Sequence, residues 1–124
     1  MGLFSSRSKE KPKGVEWVTV QSVNELEQVL NNAEDQTVIL FKHSTRCSIS
    51  TMALSRLESN WDIPLESALP VYIDLIKHRD ISNHIADKYN IRHESPQILM
   101  IKNGECVYDA SHGQIAVRSI KSAL

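Results

Sequence analysis

Residues 37–50 read TVILFKHSTRCSIS, and the fold follows from how they are divided. Thr37 to Lys42 is a continuous apolar run of strand length that closes on one cation. A run without polar alternation is the pattern of a strand covered on both faces, which places helices on both sides of a sheet. After the loop His43-Ser44-Thr45-Arg46, residues Ile49, Ala53, Leu57 and Trp61 recur every four positions, and Leu54 joins the stripe. That spacing predicts a helix beginning near Cys47. The stretch is therefore a buried strand turning directly into a helix, with a cysteine at the turn.

Working outward, Val15 to Val20 (VEWVTV) is β-branched and aromatic and predicts a strand, and Ser22 with Glu25 forms an S-x-x-E capping box opening a helix. Leu26, Val29, Leu30 and Ala33 share one face of that helix, which ends near Asn31 and Asn32. Downstream, Pro70 to Leu75 predicts a strand, and Ile81, Ile85 and Tyr89 predict a helix stopped at Asn90. Gln97 to Lys102 and Glu105 to Ala110 flank Asn103-Gly104, a two-residue hairpin signal. Ala116, Val117, Ile120 and Leu124 predict a last amphipathic helix. Alternating strands and helices imply parallel pairing with right-handed crossovers, and the hairpin adds an antiparallel edge. The expected class is α/β, a thioredoxin-like fold: a central mixed sheet of three parallel strands plus an antiparallel C-terminal hairpin, with helices on both faces.

A chain of 124 residues fits one domain. The expected division is a mobile N-terminal arm over residues 1–14, rich in Ser, Lys, Pro and Gly, and a domain over 15–124. The arm's Met1, Gly2 and Ser6 fit a loose myristoylation pattern, but six positions with three wildcards match often by chance, and the arm reads as a solvated tail. With 14 basic against 15 acidic residues and a net charge of -1, bulk charge argues against a nucleic-acid partner. No apolar run approaches the ~18–20 residues of a membrane span, and no secretory signal opens the sequence. The expectation is a cytoplasmic protein without a membrane partner. No glycine-rich phosphate loop and no internal repeat is present.

The chemistry rests on the two cysteines, Cys47 and Cys106. A free cysteine has a pKa of ~8.5, but a helix N-terminus and nearby cations lower it to ~3.5–7.5. Cys47 is expected at such a terminus, with Arg46 adjacent and His43 and Lys42 close by. Ser50 stands three residues on, where a two-cysteine oxidoreductase would carry its second thiol, so the motif Cys47-Ser48-Ile49-Ser50 is monothiol. Ser50 is expected to donate a hydrogen bond toward the Cys47 sulfur. Cys106 lies at the far end of the hairpin from Pro96, ~20 Å of strand away at ~3.3 Å per residue, beyond the ~7 Å Cα separation of a disulfide. It reads as a packing residue. Turnover then needs an external thiol. The plain alternative makes Cys47 a buried structural cysteine.

Two further segments are expected beside it. Ser95-Pro96 precedes a strand: a cis bond would turn the Ser95 backbone toward Cys47, whereas a trans proline would simply open an edge strand. Ser111-His112-Gly113 should return to the Pro96 end and either line a small-thiol pocket or form an ordinary loop. The five histidines are scattered, so no metal site is expected. An iron–sulfur cluster shared between two protomers is the one cofactor alternative left open.

The stretch from Phe41 to Ser50, with Glu94-Ser95-Pro96-Gln97 and Ser111-His112, resembles the monothiol bacilliredoxin family, the bacilliredoxin C proteins. The resemblance covers nearly all of the chain after the arm. It implies a thiol–disulfide oxidoreductase that removes bacillithiol from client mixed disulfides, with Cys47 as the attacking thiol. Thr45, Arg46, Ser50, Ser95, Pro96, Ser111 and His112 would support it. No cofactor would be bound; bacillithiol would be a co-substrate, and bacillithiolated proteins and a low-molecular-weight thiol the partners. Where a T-C-P-I-S-like motif is expected, this chain has Arg46 before the cysteine and Ser48 in place of proline, and both changes touch thiol reactivity. The competing reading is a non-catalytic redox sensor or binding module of the same fold.

Overall fold

The apolar run at 37–42 becomes the middle of a five-stranded sheet. A computed structural model describes residues 15–33 and 35–124; the expected arm, 1–14, lies outside them. In chain order the elements are strand β1 (Val18–Thr19), helix α1 (Val23–Asn32), β2 (Val38–His43), α2 (Ser48–Asn60), β3 (Leu69–Asp74) and α3 (Arg79–Tyr89). The hairpin β4 (Gln97–Lys102) and β5 (Glu105–Ser111), a 3₁₀ turn (His112–Gln114) and α4 (Val117–Ala123) follow. The strand order is β1-β3-β2-β4-β5. Strands β1, β3 and β2 pair in parallel, and β4 and β5 add the antiparallel hairpin, as the alternation of elements implied.

Every residue of β2 is buried, which is what a strand with helices on both sides requires. Ile39 and Phe41 face one core with Ala53 and Leu57 of α2 and Val117 and Ile120 of α4. Val38 and Leu40 face the other with Leu26 of α1 and Ile81 and Ile85 of α3. The period of two along β2 thus divides the molecule into its two layers. Phe41, fully buried, stacks on Trp17 at 5.5 Å and on His43 at 5.8 Å.

Local signals explain the element ends. Ser22 Oγ accepts the Glu25 N–H at 3.0 Å, while the Glu25 carboxylate reaches back to the Gln21 N–H at 2.8 Å, one residue earlier than a standard capping box. Asn90 takes the left-handed conformation that closes α3, and Asn103 and Gly104 both have positive φ, as a tight primed hairpin turn demands. The register slips between Met100 and Ile101, leaving Val107 as the extra residue of a β-bulge. Strand β1 is shorter than the expected 15–20, because this edge strand finds ladder partners only at Val71 and Tyr72. The expected buried stripe of α2 also needs correction: Ile49 is 54% exposed. The inward positions are Ser50, Ala53 and Leu57, and a residue one step before Ser50 points about 100° away from them.

Two substitutions measure these contributions by urea unfolding. Phe41→Ala should lower the unfolding free energy by about 3–5 kcal/mol. Ser22→Ala, which removes only the helix cap, should lower it by about 1 kcal/mol.

Candidate functional site

Register brings four chain segments to one edge of the sheet. Lys42 pairs with Gln97, Gln97 with Ser111, and His43 with Asp74. The turn after β2, the loop after β3, the residues before β4 and the turn after β5 therefore meet where the parallel strands end. Cys47, Ser95-Pro96 and Ser111-His112 all belong to this edge, as the hairpin direction implied.

Cys47 is the N-cap of α2, with extended backbone, half-buried, and making no side-chain capping bond. The first helical bond to its carbonyl comes from Thr51 N–H at 3.0 Å, and the Thr51 hydroxyl adds a second at 3.2 Å. The N–H groups of Ser48, Ile49 and Ser50 precede any intrahelical partner, so the positive end of the helix lies at the sulfur-bearing residue. Proline at position 48 would remove one of those donors; Ser48 keeps it. Thr45 and Arg46 are exposed, and Arg46 forms no ion pair among the described residues.

Ser50 does something other than expected. It is fully buried, and its hydroxyl oxygen lies 2.7 Å from His43 Nδ1 and accepts the Ser44 N–H at 3.0 Å. Its hydrogen-bonding partners are thus on the strand side of the turn rather than at the Cys47 sulfur. The Ser44 carbonyl in turn accepts the Cys47 N–H at 3.2 Å. His43 is buried between Phe41 and Tyr72, and burial holds its imidazole below the usual histidine range against the opposing pull of Asp74 and Glu58. Only its place at the end of an apolar strand, on the Ile39 and Phe41 side of the alternation, signals this role in the sequence.

Lys42 also departs from expectation. One residue earlier on the strand, it points to the opposite layer, where its ammonium donates to the Ser82 carbonyl of α3 at 3.3 Å and lies 3.3 Å from His93 Nδ1. It does not face the layer of α2, whose N-terminus holds Cys47. Ser82 Oγ is 3.0 Å from the same imidazole nitrogen, so the segment leading to Ser95 is tied to β2 and α3 through His93.

The Ser95–Pro96 peptide is cis. Pro96 is buried, and the Ser95 hydroxyl is buried without a hydrogen-bonding partner. Ahead of it, the Gln97 amide donates to the Arg92 carbonyl at 2.9 Å and accepts the Glu94 N–H at 3.4 Å. The His112 N–H donates to the Pro96 carbonyl at 3.0 Å, and His112 Nε2 lies 3.7 Å from the Glu94 carboxylate. Arg56 of α2, which the sequence did not single out, donates to the carbonyls of His112 and Ile115 at 3.3 and 3.2 Å. It ties the turn after β5 to the helix that Cys47 begins. Cys106 pairs with Ile101, which pairs with Val38 at the start of β2. Five residues of strand, about 16 Å, separate that level from His43, so Cys106 is out of disulfide range of Cys47. Its thiol donates to the Tyr108 carbonyl at 3.5 Å, and burial raises its pKa.

The family described as monothiol bacilliredoxin BrxC matches residues 18–120. Among solved structures, a proposed oxidoreductase with a thioredoxin fold is 33% identical, with 86% of this chain and 91% of that one covered at a TM-score of 0.74. A thioredoxin from Malassezia sympodialis is 20% identical, covering 95% of each chain at a TM-score of 0.68. One from Nicotiana alata is 13% identical, covering 91% of this chain and 93% of its own at 0.70. The two thioredoxins share the fold.

Buried Lys42 gives the site a measurable pH signature. Burial pushes its pKa from 10.5 down to about 8, so between those values the unfolded chain binds a proton that the folded chain has lost. Stability from this group therefore rises with pH across that window, while the raised values of Cys106, Tyr72 and Tyr89 act in the opposite sense. Urea unfolding of the native chain and of Lys42→Met isolates the lysine. The difference between them should move in favour of the native chain from about pH 8 to pH 10.5, and parallel pH profiles would remove Lys42 as its source.

Proposed function

The chain belongs to the monothiol bacilliredoxin family, and from that premise we propose that it removes bacillithiol, or a similar small thiol, from protein mixed disulfides through Cys47. The observation that carries this reading is a half-buried cysteine at the N-cap of α2, with a serine three residues on and the other cysteine at the opposite end of the sheet. A thiolate there faces the positive end of a 13-residue helix and has no internal partner to resolve a disulfide. Membership supports a thiol–disulfide oxidoreductase; the small thiol and the monothiol cycle are the proposal.

The cycle has two exchanges. The Cys47 thiolate attacks the small-thiol sulfur of a client mixed disulfide, forming a Cys47–small-thiol disulfide and breaking the client S–S bond. The client sulfur leaves as a thiolate and takes a proton from water. A free small-thiol anion then attacks the small-thiol sulfur of the Cys47 mixed disulfide, forming the oxidised small-thiol disulfide, breaking the bond to Cys47 and restoring the Cys47 thiolate. The net reaction converts the client mixed disulfide and one free small thiol into the reduced client and the small-thiol disulfide, so the reducing equivalent comes from the free thiol. In this reading Thr45, Arg46, Ser95, Pro96, Ser111 and His112 flank the incoming thiol. No resident cofactor or metal takes part. The partners are bacillithiolated client proteins and a free small thiol, which a reducing cytoplasm supplies; no nucleic acid or membrane is involved. Among the described residues no helix is long and apolar enough to cross a membrane.

Intact-protein mass spectrometry after exposure to oxidised bacillithiol and, separately, oxidised glutathione tests the assignment. One bacillithiol adduct at Cys47 is expected, absent in Cys47→Ala and retained in Cys106→Ala. An adduct at Cys106, or none, would overturn it. With a bacillithiolated client and excess free small thiol, the native chain and Cys106→Ala should turn over many times. A single modification that persists would identify a sensor or binding module instead.

A further inference from the structure

Between β2 and α2 the hydrogen bonds form an unbroken series: His43 Nδ1 to Ser50 Oγ at 2.7 Å, Ser50 Oγ to Ser44 N at 3.0 Å, and Ser44 O to Cys47 N at 3.2 Å. His43, Ser44 and Ser50 are all buried. The carbonyl of His43 is itself held by the Leu75 N–H at 2.9 Å, so the series starts from a residue fixed to β3. Building on the assignment of Cys47 as the nucleophile, we infer that His43 and Ser50 are a positioning pair that holds the 44–47 turn and sets the reactivity of Cys47. The serine at the place of a second thiol is then a pin between strand and helix.

The hydrogens decide how the pin works. With His43 neutral and Nδ1 unprotonated, the Ser50 hydroxyl donates to Nδ1 while its oxygen accepts the Ser44 N–H, so both Nδ1 and the buried hydroxyl are paired. If His43 is protonated, its Nδ1–H must donate to the same oxygen. The Ser50 hydrogen then loses its acceptor inside a buried site, which is costly. The ionisable groups facing the ring are Tyr72 and Asp74 from β3 and Glu58 from α2; the two carboxylates favour the imidazolium, and burial outweighs them. The clamp is therefore complete with a neutral imidazole and loosens when the ring is protonated.

Alkylation of Cys47 by iodoacetamide, followed from acid to mildly alkaline pH, tests this in full-length protein carrying Cys106→Ala. The variants are Ser50→Ala; His43→Phe, which keeps a stacked ring without nitrogen; and His43→Asn, which keeps a polar partner for Ser50 but cannot titrate. Ser50→Ala and His43→Phe should each slow alkylation about tenfold at neutral pH, the effect of one hydrogen bond, and shift the midpoint of the pH–rate profile. Their double variant should be no slower than either alone, because they act through one contact. His43→Asn should restore the neutral rate while lacking the acid-side inflection of the parent. Profiles that superimpose on the parent, or a double variant showing the product of the single losses, would overturn the inference. If Ser50→Ala does not fold by urea unfolding, the two His43 variants decide alone. Iodoacetamide requires no particular small thiol, so failure to form a bacillithiol adduct would leave this test standing.

Discussion

A strand buried on both faces leaves no water for any polar side chain it carries. Strand β2 carries two, Lys42 and His43, at the end where the sheet meets its one reactive turn. Each must find a partner in its own layer, since an unpaired buried polar group costs about 1–3 kcal/mol and a buried charge far more. Lys42 finds the Ser82 carbonyl and His93 on the α3 side; His43 finds Ser50 on the α2 side. Satisfying these two groups joins strand, both helical layers and the segment before β4 at the same place.

That arrangement gives the candidate site its character. The Cys47 backbone is held from the strand side by Ser44 and from the helix side by Thr51, and the opposite wall is held by Gln97, His93 and Arg56. Most of these side chains are not themselves candidates for contact with a substrate. They fix the turns that are, which suits a reaction in which a sulfur must be presented in line with a disulfide. The exposed parts of the edge, Thr45, Arg46, Ile49 and His112, are left free of the core.

The distance between the two cysteines bears on function as directly as the surroundings of Cys47. Ladder register puts Cys106 at the level where β2 begins and Cys47 beyond the level where it ends. A rigid five-stranded sheet does not close that gap, and this makes an external thiol a requirement of the proposed cycle.

Much of this was legible in the residues themselves. The unbroken apolar run at 37–42, the four-residue stripes and the Asn103-Gly104 turn determined the order of elements, because periodicity and turn chemistry act over a few neighbouring residues. The placement of Cys47 at a strand-to-helix junction, and the separation of Cys106 from the Pro96 end, followed from the same local lengths. The partners of the polar groups did not. By its spacing Ser50 reads as a donor to the Cys47 sulfur, and Lys42 reads as a near neighbour of Cys47 because the two are close in number; the structure overturns both. Pleating sends Lys42 and His43 to opposite layers, and the residues that meet them, Ser82 and His93 on one side and Ser50 on the other, are set by how helices pack on the sheet. The state of the Ser95–Pro96 bond and the reach of Arg56 to the turn after β5 were likewise decided by tertiary packing, since sequence spacing carries no record of contacts between segments dozens of residues apart.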